Sequence, residues 1–147
     1  RMGRPFDLKP HIIRGLYKYK AGDVFWKYVK YKIEEHPEIK DRAGIYAVLY
    51  RNRDEQGNEV MLFGEDSKTN PNIVAMAEMK EIPETDTWTP FEITFEYYKE
   101  IDPDILLRQG YSLTVVFTSS TDGAYYEGAP GSTLYIDDVD IECMITN

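Results

Sequence analysis

The side chains in this sequence that could do chemistry are mainly aromatic rings and carboxylates. The 147 residues include 12 Tyr and 2 Trp, together with 26 Asp and Glu but only 2 His and 1 Cys. A flat aromatic ring matches the apolar C–H face of a sugar ring, and neighbouring polar groups can then fix the sugar hydroxyls. Stacking against a ring-shaped ligand is therefore the first chemistry to consider.

Four of these rings are candidate ligand-binding residues. Trp26 and Tyr28 lie two residues apart and share one face of a predicted strand, Tyr46 lies on another strand, and Trp88 lies near a strand end. We predict Trp26 with Tyr28 or Tyr46 as a stacking platform, and Trp88 as the alternative. The competing interpretation of each ring is packing in the core or against a cross-strand neighbour, which is common in β-sandwiches.

The carboxylates do not single out a catalytic pair. Glycosidases hold two carboxyl groups about 5–5.5 Å apart when retaining and about 6.5–9.5 Å apart when inverting. With 26 acidic residues, some pair at such a distance is expected by chance. His11 and His36 lie in unrelated contexts, and Cys143 lies in a run typical of a core strand. We therefore predict no catalytic residue.

Adjacent carboxylates interrupt the last apolar run at Asp137 and Asp138. Apolar residues alternate on both sides of this pair, but three positions separate Ile136 from Val139, so the two series differ in parity. A β-bulge at the aspartates would restore the parity and bury both Ile136 and Val139. A regular strand would instead turn Asp137 toward the core, which is costly unless the carboxylate is paired or bound to a metal.

The charge distribution argues against a nucleic-acid partner and indicates which strands lie side by side. The net charge is −9, which argues against nucleic acid because phosphate binding needs a basic footprint. Residues 1–53 carry 13 Lys and Arg against 6 acids, whereas residues 54–147 carry 4 against 20. Opposite charges stabilise neighbouring strands, so we predict that residues 12–20 and 132–142 are adjacent antiparallel strands. A basic partner-binding surface in the first half is the alternative.

Short apolar runs separated by turn residues indicate an all-β fold. Phe91, Ile93 and Phe95 alternate with polar residues, and the run 111–118 alternates in the same way, so each predicts one face in the core and one in water. We predict a single β-sandwich domain over residues 1–147, with one possible helical turn within 101–108. No apolar run is long enough to span a membrane. The predicted strands are 12–20, 24–33, 44–51, 59–63, 73–79, 90–98, 111–118 and 133–143.

An ordered set of motifs resembles the putative carbohydrate metabolism domain family. The motifs are Arg4-Pro5, GLYKYKAG at 15–22, DRAGIYAVLY at 41–50, IVA at 73–75, WTPF at 88–91, and the segment from Ser119-Ser120 through GSTLYIDDV at 131–139. They extend through most of the chain in order. No single motif is specific, and the ordered set carries the resemblance.

The resemblance implies an antiparallel jelly-roll β-sandwich, either complete or lacking the N-terminal strands that precede the Arg4-Pro5 motif in the family. It implies an exported protein of Bacteroides or relatives, at the cell surface, as an outer-membrane lipoprotein, or in the periplasm. A structural calcium near the last strand would use Asp137 and Asp138, since calcium prefers oxygen ligands. The alternative is that these carboxylates accept hydrogen bonds at the bulge and pair with lysines.

The functional expectation is a non-catalytic module that binds a polysaccharide or other glycan, with other cell-surface proteins as further candidate partners. A structural or adhesive β-sandwich is the alternative, and a glycoside hydrolase is a weaker one. Exposed coplanar rings in a groove favour binding. A cleft with two acids, one with a raised pKa, favours catalysis.

Overall fold

The computed structural model describes residues 2–144 as two antiparallel sheets and a separate hairpin. The five-stranded sheet has the order β1 (Arg4–Pro5), β9 (Tyr111–Thr118), β5 (Gly44–Arg51), β6 (Ile73–Met79) and β8 (Glu96–Tyr97). The three-stranded sheet has the order β10 (Thr133–Met144), β2 (Lys9–Lys20) and β7 (Thr85–Thr94). The hairpin pairs β3 (Phe25–Val29) with β4 (Lys32–His36), and helix α1 spans Pro103–Leu107.

The connections between the long strands repeatedly cross from one sheet to the other. From β2 the chain crosses to the five-stranded sheet for β5 and β6 and returns to the three-stranded sheet for β7. It then crosses to the five-stranded sheet for β8 and β9 and ends in the three-stranded sheet with β10. The first and last long strands, β2 and β10, are antiparallel neighbours. This is the arrangement typical of a jelly roll, so the predicted fold class is confirmed. The predicted adjacency of residues 12–20 and 132–142 is confirmed as well.

The core lies between the two sheets and follows the alternation seen in the sequence. Ile13, Tyr17 and Tyr19 of β2 are buried and face alternate residues of β5. The ring of Tyr17 packs against that of Phe91, with centroids 6.4 Å apart. Burial raises the pKa of the Tyr19 hydroxyl to about 12, and this hydroxyl donates to the carbonyl of Ser119 at 2.9 Å.

A long loop covers the outer face of the five-stranded sheet. Val60 and Leu62, from the loop between β5 and β6, pack on the side chains of β5 that point away from the main core. The predicted strand 59–63 is therefore wrong, because these residues pack as a loop. Ser112 and Thr114 are buried rather than in water, since this face of the sheet is covered.

A bulge interrupts the pairing of β10 with β2, as predicted. Asp137 pairs with Leu16 and Asp140 with Arg14, so two residues of β10 lie opposite Gly15. One of them, Asp138, has a positive φ of 52°.

The buried residues around this bulge differ from the prediction. Ile136 is half-buried and packs on the core, but Val139 is 42% exposed. Ile141, opposite Ile13, is the next residue of β10 that packs on the core. The predicted burial of Val139 is wrong because Val139 lies within the bulge and the inward alternation resumes after it.

The run 24–33, predicted as one strand, folds back on itself. Lys30 and Tyr31 both have positive φ values, 49° and 67°, and form the two-residue turn between β3 and β4. Two successive left-handed residues are the hallmark of a type I′ hairpin turn, which usually contains Asn or Gly. Neither residue type is present here, which is why the turn escaped the sequence analysis.

Candidate functional site

The β3–β4 hairpin places aromatic and aliphatic side chains on one exposed face. Trp26 pairs with Glu35 and Tyr28 pairs with Ile33, so these residues share a face of the hairpin. On the opposite face, Phe25 is buried and anchors the start of the hairpin. Tyr28 is 50% exposed, whereas Trp26 is half-buried.

The loop between β9 and β10 forms the second wall of a groove beside this hairpin. The backbone amide of Trp26 donates to the carbonyl of Gly128 at 2.7 Å, and the amide of Gly128 donates to the carbonyl of Trp26 at 3.1 Å. The ring of Tyr126 meets that of Tyr28 edge to face, with centroids 6.3 Å apart and an angle of 61° between the ring planes, so the two exposed rings are not the coplanar pair expected of a binding groove. The groove has a volume of about 910 Å³. Its apolar lining includes Trp26, Tyr28, Ile33, Tyr126, Ala129 and Pro130.

A buried carboxylate holds this loop in place. Asp41 is 3% exposed, and its Oδ2 accepts hydrogen bonds from the hydroxyls of Ser120 and Ser132 and from the amide of Ala129. Its Oδ1 accepts from the amide of Arg42 at 2.9 Å. Because buried charge needs such compensation, Asp41 fixes the wall of the groove opposite the hairpin.

The groove offers both apolar and polar contacts to a ligand. Tyr28 and Tyr126 present exposed rings, and Glu127 brings a carboxylate. Lys27 also borders the groove, but it alternates with Trp26 and Tyr28 along β3, so its side chain lies on the opposite face of the hairpin. Rings next to a few hydrogen-bonding groups are the usual composition of a small-ligand or sugar site. Trp26 and Tyr28 share one face of the hairpin and line the same groove, and their use as a stacking platform stays a prediction.

Tyr46 lies elsewhere, so the alternative platform of Trp26 with Tyr46 does not form. Tyr46 is 6% exposed, and its hydroxyl lies 2.7 Å from that of Ser67. The ammonium of Lys68 lies 5.0 Å from the centroid of the Tyr46 ring. Tyr46 lines a different, charged cleft of about 920 Å³. Its burial follows from the loop that covers the outer face of its sheet.

Trp88 lies on a third surface, the outer face of the three-stranded sheet. Its side chain is 44% exposed, and the ammonium of Lys18 lies 4.6 Å from its ring centroid. Trp88 is not among the residues that line the groove. The structure thus brings Trp26 and Tyr28 together and separates both from Tyr46 and Trp88.

The predicted calcium ligands have few partners around them. Asp137 and Asp138 are exposed, and Oδ1 of Asp137 accepts from the amide of Asp138 at 2.8 Å. Within residues 2–144, no three or more His, Cys, Asp or Glu side chains are grouped as they would be to hold a metal ion. The observed contact is the hydrogen bond that the alternative interpretation expects at the bulge.

Within residues 2–144, three carboxyl groups have a displaced pKa, and all three pKa values are lowered. The pKa of Glu38 is lowered by a hydrogen bond from its own backbone amide, and the pKa of Asp54 by one from the amide of Asn58. The ammonium of Lys40 lowers the pKa of Glu84. A glycosidase general acid needs the opposite shift, because it must stay protonated near neutral pH. None of the three is suited to that role.

Two important residues of this site escaped the predictions. Tyr126 lies in an irregular loop, where no periodicity indicates which way a ring points. Asp41 stands within a motif of the family resemblance, but nothing in its sequence context indicates that four donors converge on it. The spacing of Trp26 and Tyr28 was sufficient to place those two rings on one face.

The fold and the groove together define a jelly-roll β-sandwich with an exposed aromatic site. The chain belongs to the putative carbohydrate metabolism domain family, whose model matches residues 1–142. The predicted family is therefore confirmed, and the domain is carbohydrate-related. No curated protein matches the chain.

Two proteins from Bacteroides are among the solved structures that share this fold. One is a putative glycoside hydrolase from Bacteroides thetaiotaomicron, 36% identical, with a TM-score of 0.86 over 98% of this chain. The other is a putative glycoside hydrolase from Bacteroides vulgatus, also 36% identical, with a TM-score of 0.80 over 97% of this chain. The chain spans 41% and 55% of the lengths of those proteins.

Among the described residues, no helix has the length and apolar character needed to cross a membrane.

Proposed function

We propose that this domain is a non-catalytic glycan-binding module that binds a polysaccharide segment in the groove beside the β3–β4 hairpin. The observation that carries the proposal is the pair of exposed rings of Tyr28 and Tyr126, which meet edge to face in a groove that the half-buried Trp26 also lines. The edge-to-face contact fixes the angle of the two rings. A sugar can therefore stack on one ring while the other bounds it.

Membership of a carbohydrate-related family supports a glycan over other ring-shaped ligands. The net charge of −9 makes an uncharged glycan more favourable than a polyanion. Backbone polar groups at the rim and the carboxylate of Glu127 are available to the sugar hydroxyls.

Binding is a better account of this domain than hydrolysis. The three displaced carboxyl pKa values are all lowered, and the groove combines apolar walls with one lining carboxylate, Glu127. Hydrolysis of a glycoside requires two carboxyl groups flanking the scissile bond in most families. The two similar solved proteins are described as putative glycoside hydrolases, but this chain covers only 41% and 55% of them.

We further propose that the module belongs to an exported protein at the cell surface, as an outer-membrane lipoprotein or in the periplasm. Polysaccharides are too large to enter a cell intact, so a module that binds them is useful outside the cytoplasm. Other cell-surface proteins are the expected partners of such a module. Fractionation of the native host, with detection of this domain in the envelope, tests the location; recovery in the cytoplasm contradicts it.

The test of the groove is a titration of the purified domain with soluble polysaccharides, followed by tryptophan fluorescence and by affinity electrophoresis. Aromatic stacking of nucleic acid bases contributes about 1–3 kcal/mol per ring, and a sugar ring is expected to fall at the lower end. Tyr28→Ala and Tyr126→Ala should each weaken binding about tenfold without changing the melting temperature.

The matched control is Tyr31→Ala, because Tyr31 is an exposed tyrosine at the tip of the same hairpin that does not line the groove. Its affinity should equal that of the unmodified domain. If all three variants bind with the affinity of the unmodified domain, the glycan binds outside this groove. Failure of the unmodified domain to bind any glycan favours a structural or adhesive module instead.

A further inference from the structure

The outer face of the three-stranded sheet carries a row of side chains that crosses all three strands. Tyr135 of β10 pairs with Lys18 of β2. The ammonium of Lys18 lies 4.6 Å from the ring centroid of Trp88 on β7. Both rings are exposed. Adjacent strands are about 4.8 Å apart, so β7 and β10, which carry the two rings, lie roughly 10 Å apart on either side of β2.

A second row extends this surface along the strands. Leu16 pairs with Pro90 on one side and with Asp137 on the other. Leu16 is half-buried, while Pro90 and Asp137 are exposed. The strip formed by the two rows therefore combines rings and aliphatic groups with one ammonium and one carboxylate. It shares no residue with the groove beside the hairpin.

The charges around the strip select for an uncharged ligand. Arg14, the next outward-facing residue of β2, lies 3.3 Å from Asp140, 3.8 Å from Glu142 and 4.0 Å from Glu92. Three carboxylates surround this single guanidinium, so it cannot attract an anion. Asp137 adds a further negative charge beside the rings, and Lys18 is the cation within the strip. Lys20, the next outward-facing residue of β2 beyond Lys18, interacts with the carboxylate of Glu84.

We propose that this strip is a second binding surface, which holds a segment of uncharged polysaccharide across β7, β2 and β10. The rings of Trp88 and Tyr135 stack on two separate sugar residues of the chain. Asp137 accepts hydrogen bonds from sugar hydroxyls, and Lys18 donates to them. The proposal goes beyond the groove, and neither surface requires the other.

Lys18 controls access to the ring of Trp88. Its flexible side chain covers one face of the ring, and an exposed cation–π contact of this kind is weak. A sugar ring that offers several C–H contacts displaces the ammonium, which then reaches the sugar hydroxyls. No backbone movement is required, because Lys18 and Trp88 sit on paired strands.

The test uses the full domain with the groove inactivated by Tyr28→Ala and Tyr126→Ala. The probes are hydroxyethylcellulose, galactomannan, xyloglucan and amylopectin as neutral polymers, with carboxymethylcellulose as the charged counterpart of the first. Affinity electrophoresis measures the residual binding. The expected result is that at least one neutral polymer is still bound, and that Trp88→Ala lowers that residual affinity about tenfold, an effect on the scale of single-ring stacking.

Tyr135→Ala should lower the residual affinity independently, so the test does not depend on the folding of one variant. Tyr98→Ala is the control, because Tyr98 is an exposed tyrosine outside both surfaces. Loss of all binding once the groove is inactivated overturns this proposal while supporting the groove. Unchanged binding in both Trp88→Ala and Tyr135→Ala overturns it as well, and so does a preference for carboxymethylcellulose. If the groove substitutions leave the affinity unaltered and Trp88→Ala lowers it, the result refutes glycan binding in the groove and supports glycan binding on the strip.

Discussion

The carboxylate of Asp41 accepts a hydrogen bond from the backbone amide of Ala129 at 3.0 Å, across 88 residues of sequence. Two serine hydroxyls, those of Ser120 and Ser132, converge on the same oxygen. No cation lies among these hydrogen-bonding partners. The loop that forms one wall of the groove is thus positioned by a single buried charge.

Replacement of this charge should destabilise the domain. Asp41→Asn keeps the shape but turns an NH2 group toward converging donors, so we expect the free energy of unfolding to fall by about 2–3 kcal/mol. Urea denaturation measures the change. Asp122→Asn is the control, because the side chain of Asp122 contacts the exposed guanidinium of Arg42 at 3.4 Å, and its replacement should cost a few tenths of a kcal/mol. A loss at Asp41 no larger than that at Asp122 contradicts the account.

Gly15 should not tolerate a side chain. A Cβ atom at this position would lie 2.7 Å from Cζ of Phe91, so Gly15→Ala should destabilise the domain by about 1–3 kcal/mol through overpacking. Phe91→Leu in the same chain should recover part of this loss, which a double-mutant cycle detects. Gly123→Ala is the control because nothing lies within 4 Å of its Cβ. Additive effects of the two substitutions would show that the clash is not the cause.

The charge cluster on the outer sheet face should contribute modestly, and in a salt-dependent way. Arg14→Gln removes the one cation among three carboxylates. We expect a loss of about 1 kcal/mol at low ionic strength, because exposed pairs are weak and networks somewhat stronger. The loss should shrink in 0.5 M salt as screening increases, to a Debye length of roughly 4 Å. A salt-independent effect would indicate lost packing of the arginine stem instead.

His36 should make the hairpin sensitive to pH. Hydrogen bonds to Glu38, at 2.8 Å, and to Glu34 raise the pKa of His36 above 6.5. A raised folded-state pKa contributes stability below the unfolded value, and this contribution disappears as the pH rises through the folded value. NMR titration should give a midpoint above 6.5 for His36, and Glu38→Gln should lower it. An unchanged midpoint in that variant assigns the shift to another cause.

The sequence predicts which side chains face the core where polar and apolar residues alternate, and it does not predict this where the alternation is absent. Phe91 and Phe95 face the core as their spacing predicts, and the parity break at Asp137 and Asp138 located the bulge. The position of Val139 within that bulge depends on the pairing with Gly15, which no local pattern encodes. The same limitation hid the loop that buries Tyr46.

The groove was half predictable for the same reason. Trp26 and Tyr28 sit on a regular strand, so their spacing fixes a common face. Tyr126 adopts a left-handed conformation, with φ 60°, after a short 3₁₀ helix at Gly123–Tyr125. The direction of its ring depends on the loop held by Asp41. Long-range hydrogen bonds of this kind carry no periodic signal in the sequence.

The separation of the β3–β4 hairpin from both main sheets has a consequence for amide hydrogen exchange. A two-stranded hairpin is marginal by itself, and the main-chain tie between this one and the sandwich is the reciprocal pair at Trp26 and Gly128. Its amides should therefore exchange through local opening, well below the free energy of global unfolding. A glycan that contacts both Tyr28 and Tyr126 would link the hairpin to the loop and suppress this local opening reaction. The amides of β3 and β4 would then become slow-exchanging, while those of β5 keep their rates.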